Sequence, residues 1–523
     1  MKSDVLSSEF VSSEKITSDY INYAPHLKAM FPRHFREPSL RKCKVGHRGL
    51  VDKLLKYNKS IGAPLRVIQN IESLLQPEIY AVITGQQPGL LSGPLYTVYK
   101  AISTLAICER LSTQKYSLVP IFWNASEDHD FSEVSYIKLF KENKVYAIHY
   151  DDVAKDVALS HLNLDKSQMI KILTIIESIS PDSEFKMGLM LKIKEILGKS
   201  STIGDFFSRF MTFLFGEFGL IMIEPYYFRD LMAPIFARMI KTPTKCTKIL
   251  NEAGLQLKRL GYSPRIHKKS NMCNFFLLDD DGKRLQITYN GKFQSANETF
   301  SQAELLDLLD EDPSRFSANA ATRPITQDFL FPTFAYVAGP NEIAYQAQLK
   351  GLYDFFSLEM PVIFPRFGAT VVERKVVKVL EKYSVTIYEL QNPAKLLKEL
   401  AKKKIENTFG SFKSEISGNI SELIQQAKTI DEGLIESCLL AKGRILKTID
   451  ILEDKIAAKL KKQNLLVKQQ ITKAHNHLLP NNQLQEREIN VLEYLMKFGK
   501  RFLRTVYERF LDADYGEHKV IKC

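Results

Sequence analysis

The sequence predicts an α/β protein with a parallel-sheet core, interrupted by insertions and followed by an antiparallel helical hairpin. Three observations carry this expectation. Short β-branched runs alternate with helical stretches from residue 79 to residue 366. The runs feed polar or glycine-bearing loops, as the strands of a doubly wound sheet do. Beyond Thr370, apolar residues recur at steps of three and four, the spacing of a coiled-coil seam.

Taken in order, Ile79, Val82 and Ile83 sit in IYAVIT, a buried-strand pattern that stops at Gly85. The loop QQPGLLSG follows, then PLYTVYKAISTLAICERL reads as a helix with Pro94 in its first turn. SLVPIFW is a second strand running into NASEDHDFSEV, which completes a βαβ unit. GLIMIE (219–224) with YYFRDLMAPIFARMI reads as strand then helix. TFAYVAG (333–339), a helix from about Glu342 and PVIFPR (361–366) form another βαβ unit. The core thus occupies residues 1–150 and 206–370. Residues 151–205 make a helical insertion, and 263–299 a small antiparallel hairpin around the Asp-Gly turn of NFFLLDDDGKRLQITYNGKF.

In the segment 371–480, Ile416, Ile420, Leu423, Ala427, Ile430 and Leu434 outline one seam. Ile445, Ile449, Leu452 and Ile456 outline a second, continued by Leu460, Val467 and Ile471. TIDEG (429–433) lies between them and can reverse the chain, giving helices over about 396–430 and 434–476. Residues 481–523 hold one more helix, LQEREINVLEYLMKFGKRFLRTVYERF, expected to return to the core.

Composition excludes several classes. With 523 residues, 45% hydrophobic and 25% charged, the chain is neither disordered nor a disulfide-knotted miniature. Its net charge of +12 favours anionic partners. Residues 371–523 carry 28 Lys/Arg against 20 Asp/Glu, so most of the excess lies in the last third. Six scattered cysteines without a Cys-x-x-Cys pattern argue against a zinc site and a disulfide framework. No apolar run approaches the ~20 residues that span a bilayer, and the N-terminus lacks a signal-peptide stretch. The expectation is a cytoplasmic protein with no membrane segment.

Three loops fall at carboxyl ends of strands, where open α/β sheets bind ligands. The first holds Thr84, Gly85, Gln86, Gln87 and Gly89, then Gly93 and Pro94. Its glycines suit a tight turn or close approach to a ligand, and the paired glutamines favour the ligand. The second holds Asn124 and then Glu127, Asp128, His129 and Asp130. Crowded carboxylates around one histidine suit a metal, a cationic amine or a shared proton, against the plainer alternative of a solvated acidic loop. The third holds Gly339 and Glu342, with Tyr345 a turn later and Arg366 ending the next strand. Glu342 at a helix start needs no ligand, whereas Arg366 suits an anion. Lys100 is read equally as a surface lysine or a nucleotide contact. The basic runs Lys402–Lys404 and Lys461–Lys462 suit a solvated helix face more than nucleic acid, because aromatics hardly occur there.

The ordered series TGQQPGLLSGPLYTVYK, PIFWNASEDHDFSEV, RPITQDFLFPTFAYVAGPNEIAYQAQL, MPVIFPR and LLPNNQLQERE resembles the BshC family, the cysteine ligases of bacillithiol synthesis. The early SDYINY is similar too. The resemblance implies a Rossmann-like, nucleotidyltransferase-type core, a C-terminal coiled coil and a homodimer formed through it. It also implies addition of L-cysteine to glucosaminyl-malate, with ATP and Mg²⁺ assisting and a cysteinyl-adenylate as intermediate. By motif, Thr84, Gly85, Gln86, Gln87, Gly89, Gly93, Pro94, Tyr96 and Lys100 fall in its first loop region. Glu127, Asp128, His129 and Asp130 fall in its acidic motif, and Gly339, Glu342 and Tyr345 in its second glycine loop. His129, flanked by Asp128 and Asp130, is the choice for handling a proton or for orienting the attacking amine. Gln346 stands where the family pattern has tryptophan. His-x-Gly-His and Lys-Met-Ser-Lys-Ser signatures of related adenylating enzymes are absent. Two rival readings are a nucleotide-regulated RNA-binding protein that uses the basic arm, and a non-catalytic structural dimer.

Overall fold

The computed structural model describes residues 5–6, 14–40, 46–151, 156–296 and 298–523, with the backbone alone at 5–6, 401–411, 457–458 and 460–464. The chain divides into two compact units, residues 2–370 with 484–521 and residues 371–483 with 522–523.

The larger unit is built on a parallel sheet of β1 (Ile79–Gln86), β2 (Ser117–Asn124), β3 (Ile221–Ile223), β4 (Thr333–Ala338) and β5 (Val362–Pro365). Its spatial order is β5-β4-β1-β2-β3, with every neighbouring pair parallel. Strand order therefore reverses between β1 and β4, and at that switch point the two flanking loops diverge and leave a crevice. The β1–β2 register pairs Gln86 with Asn124, so both strands end level at one rim. All six residues of β4 are buried, as a strand covered on both faces requires. Helix α1 (Leu95–Leu111) is buried without a break from Thr97 to Cys108. Its Ser103 and Thr104 hydroxyls accordingly donate back to Tyr99 O (2.6 Å) and Lys100 O (2.9 Å). Beyond β3 the Asn58 side chain bonds both Met222 N (3.0 Å) and Met222 O (2.9 Å), occupying a strand edge that would otherwise be open.

The insertions are more elaborate than the sequence suggests. The expected hairpin at 263–299 is part of a five-stranded antiparallel sheet of Met272–Leu278, Arg284–Tyr289, Phe293–Gln294, Thr299–Phe300 and Phe316–Ala318. The missing strand, Phe316–Ala318, lies outside the predicted span and pairs with Met272–Leu278. The Asp-Gly turn is present: Asp279 Oδ1 accepts from Asp281 N and Lys283 N, and Gly282 has φ +77. A second hairpin, Tyr136–Lys141 with Lys144–His149, turns through Glu142 and Asn143 at positive φ, without the glycine that marks the first one. The helical insertion comprises Lys166–Ile179 and Lys186–Lys199, and a third helix, Ile203–Phe215, follows. The anticipated last helix is broken into Gln485–Glu488, Leu492–Phe498 and Arg501–Leu511. One break is at Gly499, whose positive φ L side chains avoid.

The smaller unit is dominated by helices Pro393–Ile430 and Leu434–Leu478. Pro393 stands at the first helical position, and Asn392 accepts from Lys395 N (3.0 Å). Asp431 Oδ1 accepts from Gly433 N (2.8 Å) and shapes the reversal. Contacts of Lys413 with Asp450 and of Lys442 with Ser421 fix the antiparallel pairing. The seam is not quite the predicted one. Ile416, Ile420, Ile424 and Ala427 are half-buried on the first helix, and Ile449 is buried on the second. Leu423, Ile430, Leu434, Ile445 and Leu452 are exposed instead. Both leucine and isoleucine runs offer adjacent apolar choices (Leu423-Ile424, Ile445-Leu446), and the helix phase that packs selects the second of each pair. The side chains of Lys402–Lys404, Lys461 and Lys462 lie outside the described residues. Among the described residues no helix is long and apolar enough to cross a membrane.

Candidate active site at the sheet switch point

The carboxyl ends of β1, β2, β4 and β5 border an open cavity of about 800 Å³. Its far side is formed by the antiparallel insertion, through Phe276, Arg284 and Ala318. Helix α1 and the helix Pro340–Gln346 supply its base, with Tyr96, Lys100, Glu342 and Tyr345 on the wall.

Lys100 is the best-fixed of these groups. The residue is 2% exposed, and its ammonium donates to Gly85 O (2.7 Å) and Gln86 Oε1 (3.0 Å) while pairing with Glu342. All three of its donors are thereby committed inside the protein. Glu342 also accepts from Gly339 N and Tyr336 OH, each at 2.7 Å. Burial pushes the Glu342 carboxyl upward, but Lys100 and these donors bring it below its ordinary value. Burial pulls the Lys100 ammonium down, against the pull of Glu342. Lys100 is therefore neither a surface lysine nor a free cation: it ties β1, α1 and the Pro340 helix together.

Glycine is required at two points here. A Cβ on Gly85 would meet Trp123 O at 2.9 Å across the β1–β2 pair. Between Gly89 and Gly93 the backbone is so close that a Cβ on Gly89 would lie 2.8 Å from Gly93 Cα. Leu91 and Ser92 in this loop adopt positive φ, a strained arrangement for L residues. Asn490 holds it, donating to Leu91 O (3.0 Å) and Gly93 O (2.8 Å).

The acidic loop faces the same cavity. Gln87 Nε2 donates to Asp130 O (2.5 Å), joining the glutamine loop to the acidic one. Asp128 Oδ1 accepts from His129 N (2.8 Å), and Arg284 stands 3.3 Å from His129 Nδ1. Glu127 is ion-paired with buried Arg229 at 3.1 Å. Arg366 is held by Glu486, itself fully buried, and lies 5.9 Å from the Tyr96 ring centre. Burial opposes ionisation of Glu486, yet Arg366 brings its carboxyl below the ordinary range.

Of the residues singled out from sequence, Gly85, Gln86, Gln87, Tyr96, Lys100, Glu127, Asp128, His129, Gly339, Glu342, Tyr345 and Arg366 line this cavity. Thr84, Gly89, Gly93, Asn124 and Asp130 are not part of its wall. Thr84 bonds Val337 O across β1 and β4 (2.9 Å), and Asn124 bonds Gly204 O (3.0 Å) and Ser208 (2.9 Å). Both are buried, so their polar groups serve the sheet rather than the hollow. Gln346 is 1% exposed, and neither end of its amide has a hydrogen-bond partner, an arrangement that costs about 1–3 kcal/mol.

Sequence reasoning missed Lys268, Arg284, Arg323, Tyr336 and Arg487 on the wall. Arg323, Tyr336 and Arg487 lie inside the motif series quoted above, which was their only signal. Among the described residues, Lys268, Arg323 and Arg487 form no ion pair with a carboxylate. Burial lowers the Lys268 ammonium to about 8. Arg323 instead bonds Gln327 (3.0 Å) and Tyr345 OH (3.5 Å) and lies over the Tyr336 ring. The cavity thus brings cationic groups and an acid–histidine loop to one wall lining.

Two family models account for nearly the whole chain. Residues 1–367 match the bacillithiol biosynthesis BshC N-terminal Rossmann-like domain, and residues 369–523 match the BshC C-terminal coiled-coil domain. The chain belongs to the BshC family. A relative from Salinibacter ruber, named "Putative cysteine ligase BshC", is 34% identical over 90% of this chain and 88% of its own length. Relatives of the same name from Bacillus cytotoxicus and Bacillus cereus are 32% and 31% identical, each over 98% of both chains. Membership places the Rossmann-like sheet and the helical hairpin in a family of cysteine ligases of bacillithiol biosynthesis.

Two measurements check the electrostatic frame. Lys100→Met strands the Glu342 carboxylate, and should lower unfolding stability by about 3–5 kcal/mol in denaturant titrations. Lys100→Met combined with Glu342→Leu should recover a large part of that loss. His518, buried beside Glu486 and bonded to Thr370 (2.8 Å), is drawn down to about 4 by burial. The unfolded chain takes up this proton first, so His518 costs stability progressively as pH falls from about 6.5 to about 4, roughly 3 kcal/mol in all. Glu224, raised to about 7 by burial, slopes the opposite way. The readout is therefore wild type minus His518→Asn, a difference that should shrink across this window on acidification.

Proposed function

We propose that this chain joins L-cysteine to glucosaminyl-malate by an ATP-dependent amide-forming reaction, the last step of bacillithiol synthesis, and that the switch-point cavity is where it does so. The observation that carries the reading is the set of cavity cations, Lys268, Arg323 and Arg487, that form no ion pair with a carboxylate among the described residues. Both the malate carboxylates and the nucleotide phosphates are anions of the kind such groups hold. The names of the relatives supply the cysteine.

In this reading the cysteine carboxylate attacks the α-phosphorus of ATP, and pyrophosphate leaves. The substrate amine then attacks the acyl carbon, AMP leaves, and the amine's proton passes to a base or to water. The chain's own residues bind and orient. Gln86, already fixed by Lys100 (3.0 Å) and Tyr96 (3.4 Å), presents a rigid amide to polar ligand groups. Arg323 and Arg487 hold anionic groups, and Phe276 of the antiparallel insertion gives the wall an apolar face. Among the described residues no cluster of three or more His, Cys, Asp or Glu is placed to hold a metal ion. Magnesium carried by a nucleotide needs only one or two protein carboxylates, and Asp128 and Glu133 on the wall fit that requirement.

The helical hairpin supports the homodimer in the same proposal. Leu423, Ile430, Leu439, Leu440 and Leu452 are at least half exposed, an apolar surface a second copy would cover. Light scattering should give twice the 59.9 kDa chain mass, and Leu439→Glu with Leu440→Glu should shift it to one.

The deciding assay combines purified protein, cysteine, glucosaminyl-malate and ATP. Mass spectrometry should find the cysteinyl product only when all three substrates are present. Arg487→Gln should raise KM for an anionic substrate roughly 10- to 100-fold, the worth of one charge-assisted hydrogen bond. No product from the wild-type protein overturns the reading.

A further inference from the structure

A histidine beside carboxylates is ordinarily read as a general base, and the surroundings of His129 argue otherwise. Its Nδ1 lies 3.3 Å from Arg284 NH1. A guanidinium only donates, so at this contact Nδ1 must accept, and the ring proton resides on Nε2. Arg284 has little freedom to turn away. Its NH2 donates to Ala318 O (2.7 Å), its plane lies 4.1 Å from the Phe276 ring centre, and its side chain is 7% exposed.

The competing partner is Asp128, which would favour a proton on Nδ1. Its Oδ1 is 3.8 Å from Nδ1, beyond hydrogen-bond distance. That oxygen already accepts from His129 N (2.8 Å) and Asp130 N (3.4 Å), and it stands 4.0 Å from Arg284. The Phe276 ring also stands near the imidazole, with centroids 6.3 Å apart. The His129 side chain is one-third exposed and lines the cavity.

We infer that Arg284 is a positioning residue that fixes His129 as its Nε2–H tautomer, so that His129 acts on the ligand as a neutral hydrogen-bond donor and not as the base. A neutral imidazole is a competent donor to an oxygen on which negative charge develops. The identity of that oxygen, the carboxyl or phosphoryl oxygen of the activation step, rests on the cysteine-ligase reading. The tautomer does not.

Two arms of one experiment separate these claims. In the first, protein labelled with ¹⁵N-histidine is examined near neutral pH, with the His129 signals assigned by their loss in His129→Gln. The expected result is an unprotonated Nδ1 and a protonated Nε2, and conversion to a mixture in Arg284→Met. A protonated Nδ1 in the wild type overturns the inference whether or not the protein makes the thiol. In the second arm, kcat is compared between His129→Gln, which keeps an N–H near the Nε2 position, and His129→Ala. The donor role expects His129→Gln to stay within about 10-fold of wild type while His129→Ala loses about 100-fold or more. Equal loss in both variants overturns it. Absence of product from wild type overturns the ligase reading alone, since the tautomer is still read in the first arm.

Discussion

The buried ammonium of Lys100 holds the candidate site together. Its protons go to the backbone of β1, the side chain of Gln86 and the carboxylate of Glu342. A charge taken that far out of water is tolerable only when fully paired, so β1, α1 and the sequence-distant Pro340 helix must arrive in one place. Glu342 passes the constraint onward to Gly339 N and the Tyr336 hydroxyl. The rim at the end of β1 and β4 is therefore set before any ligand arrives, which is the preorganisation that binding of a small polar molecule rewards.

A second constraint comes from the far end of the chain. Segment 484–521 belongs to the same compact unit as the sheet. From it Glu486 neutralises Arg366, and Asn490 clamps the positive-φ turn at Leu91 and Ser92. Arg487, between those two structural residues, is left facing the cavity. The short helix Gln485–Glu488 thus alternates between holding the site and furnishing it. The antiparallel insertion does the same on the other side, where Arg284 is anchored by Ala318 and Phe276 yet reaches His129.

Much of the parallel sheet was legible because its signals are local. Fully buried strands such as TFAYVA are continuous apolar runs, and the loops after them are polar where the chain leaves the core. The hairpin of long helices was legible for the same reason, through its repeating apolar step. What was not legible depended on partners far away. Phe316–Ala318 is three residues long and becomes a strand only by pairing with Met272–Leu278. The choice of Ile424 over Leu423 for the seam is a matter of helix phase, which both residues satisfy equally in sequence. Arg284 and Lys268 lie in an insertion with no motif to mark them.

By itself the sequence determined the alternation of strands and helices, the loops at the strand ends, the helical arm and the family pattern. Those follow from hydrophobic periodicity, turn chemistry and the order of short motifs, all properties of neighbouring residues. The tertiary structure alone decided which polar groups face the cavity and which are spent on the fold. Thr84 and Gln86 belong to one loop region in the chain, but one bonds a neighbouring strand and the other lines the hollow. The physical reason is that a buried polar group must find a partner, and Glu342, Glu486 and Arg284, which meet Lys100, Arg366 and His129, lie more than one hundred residues from them in the chain.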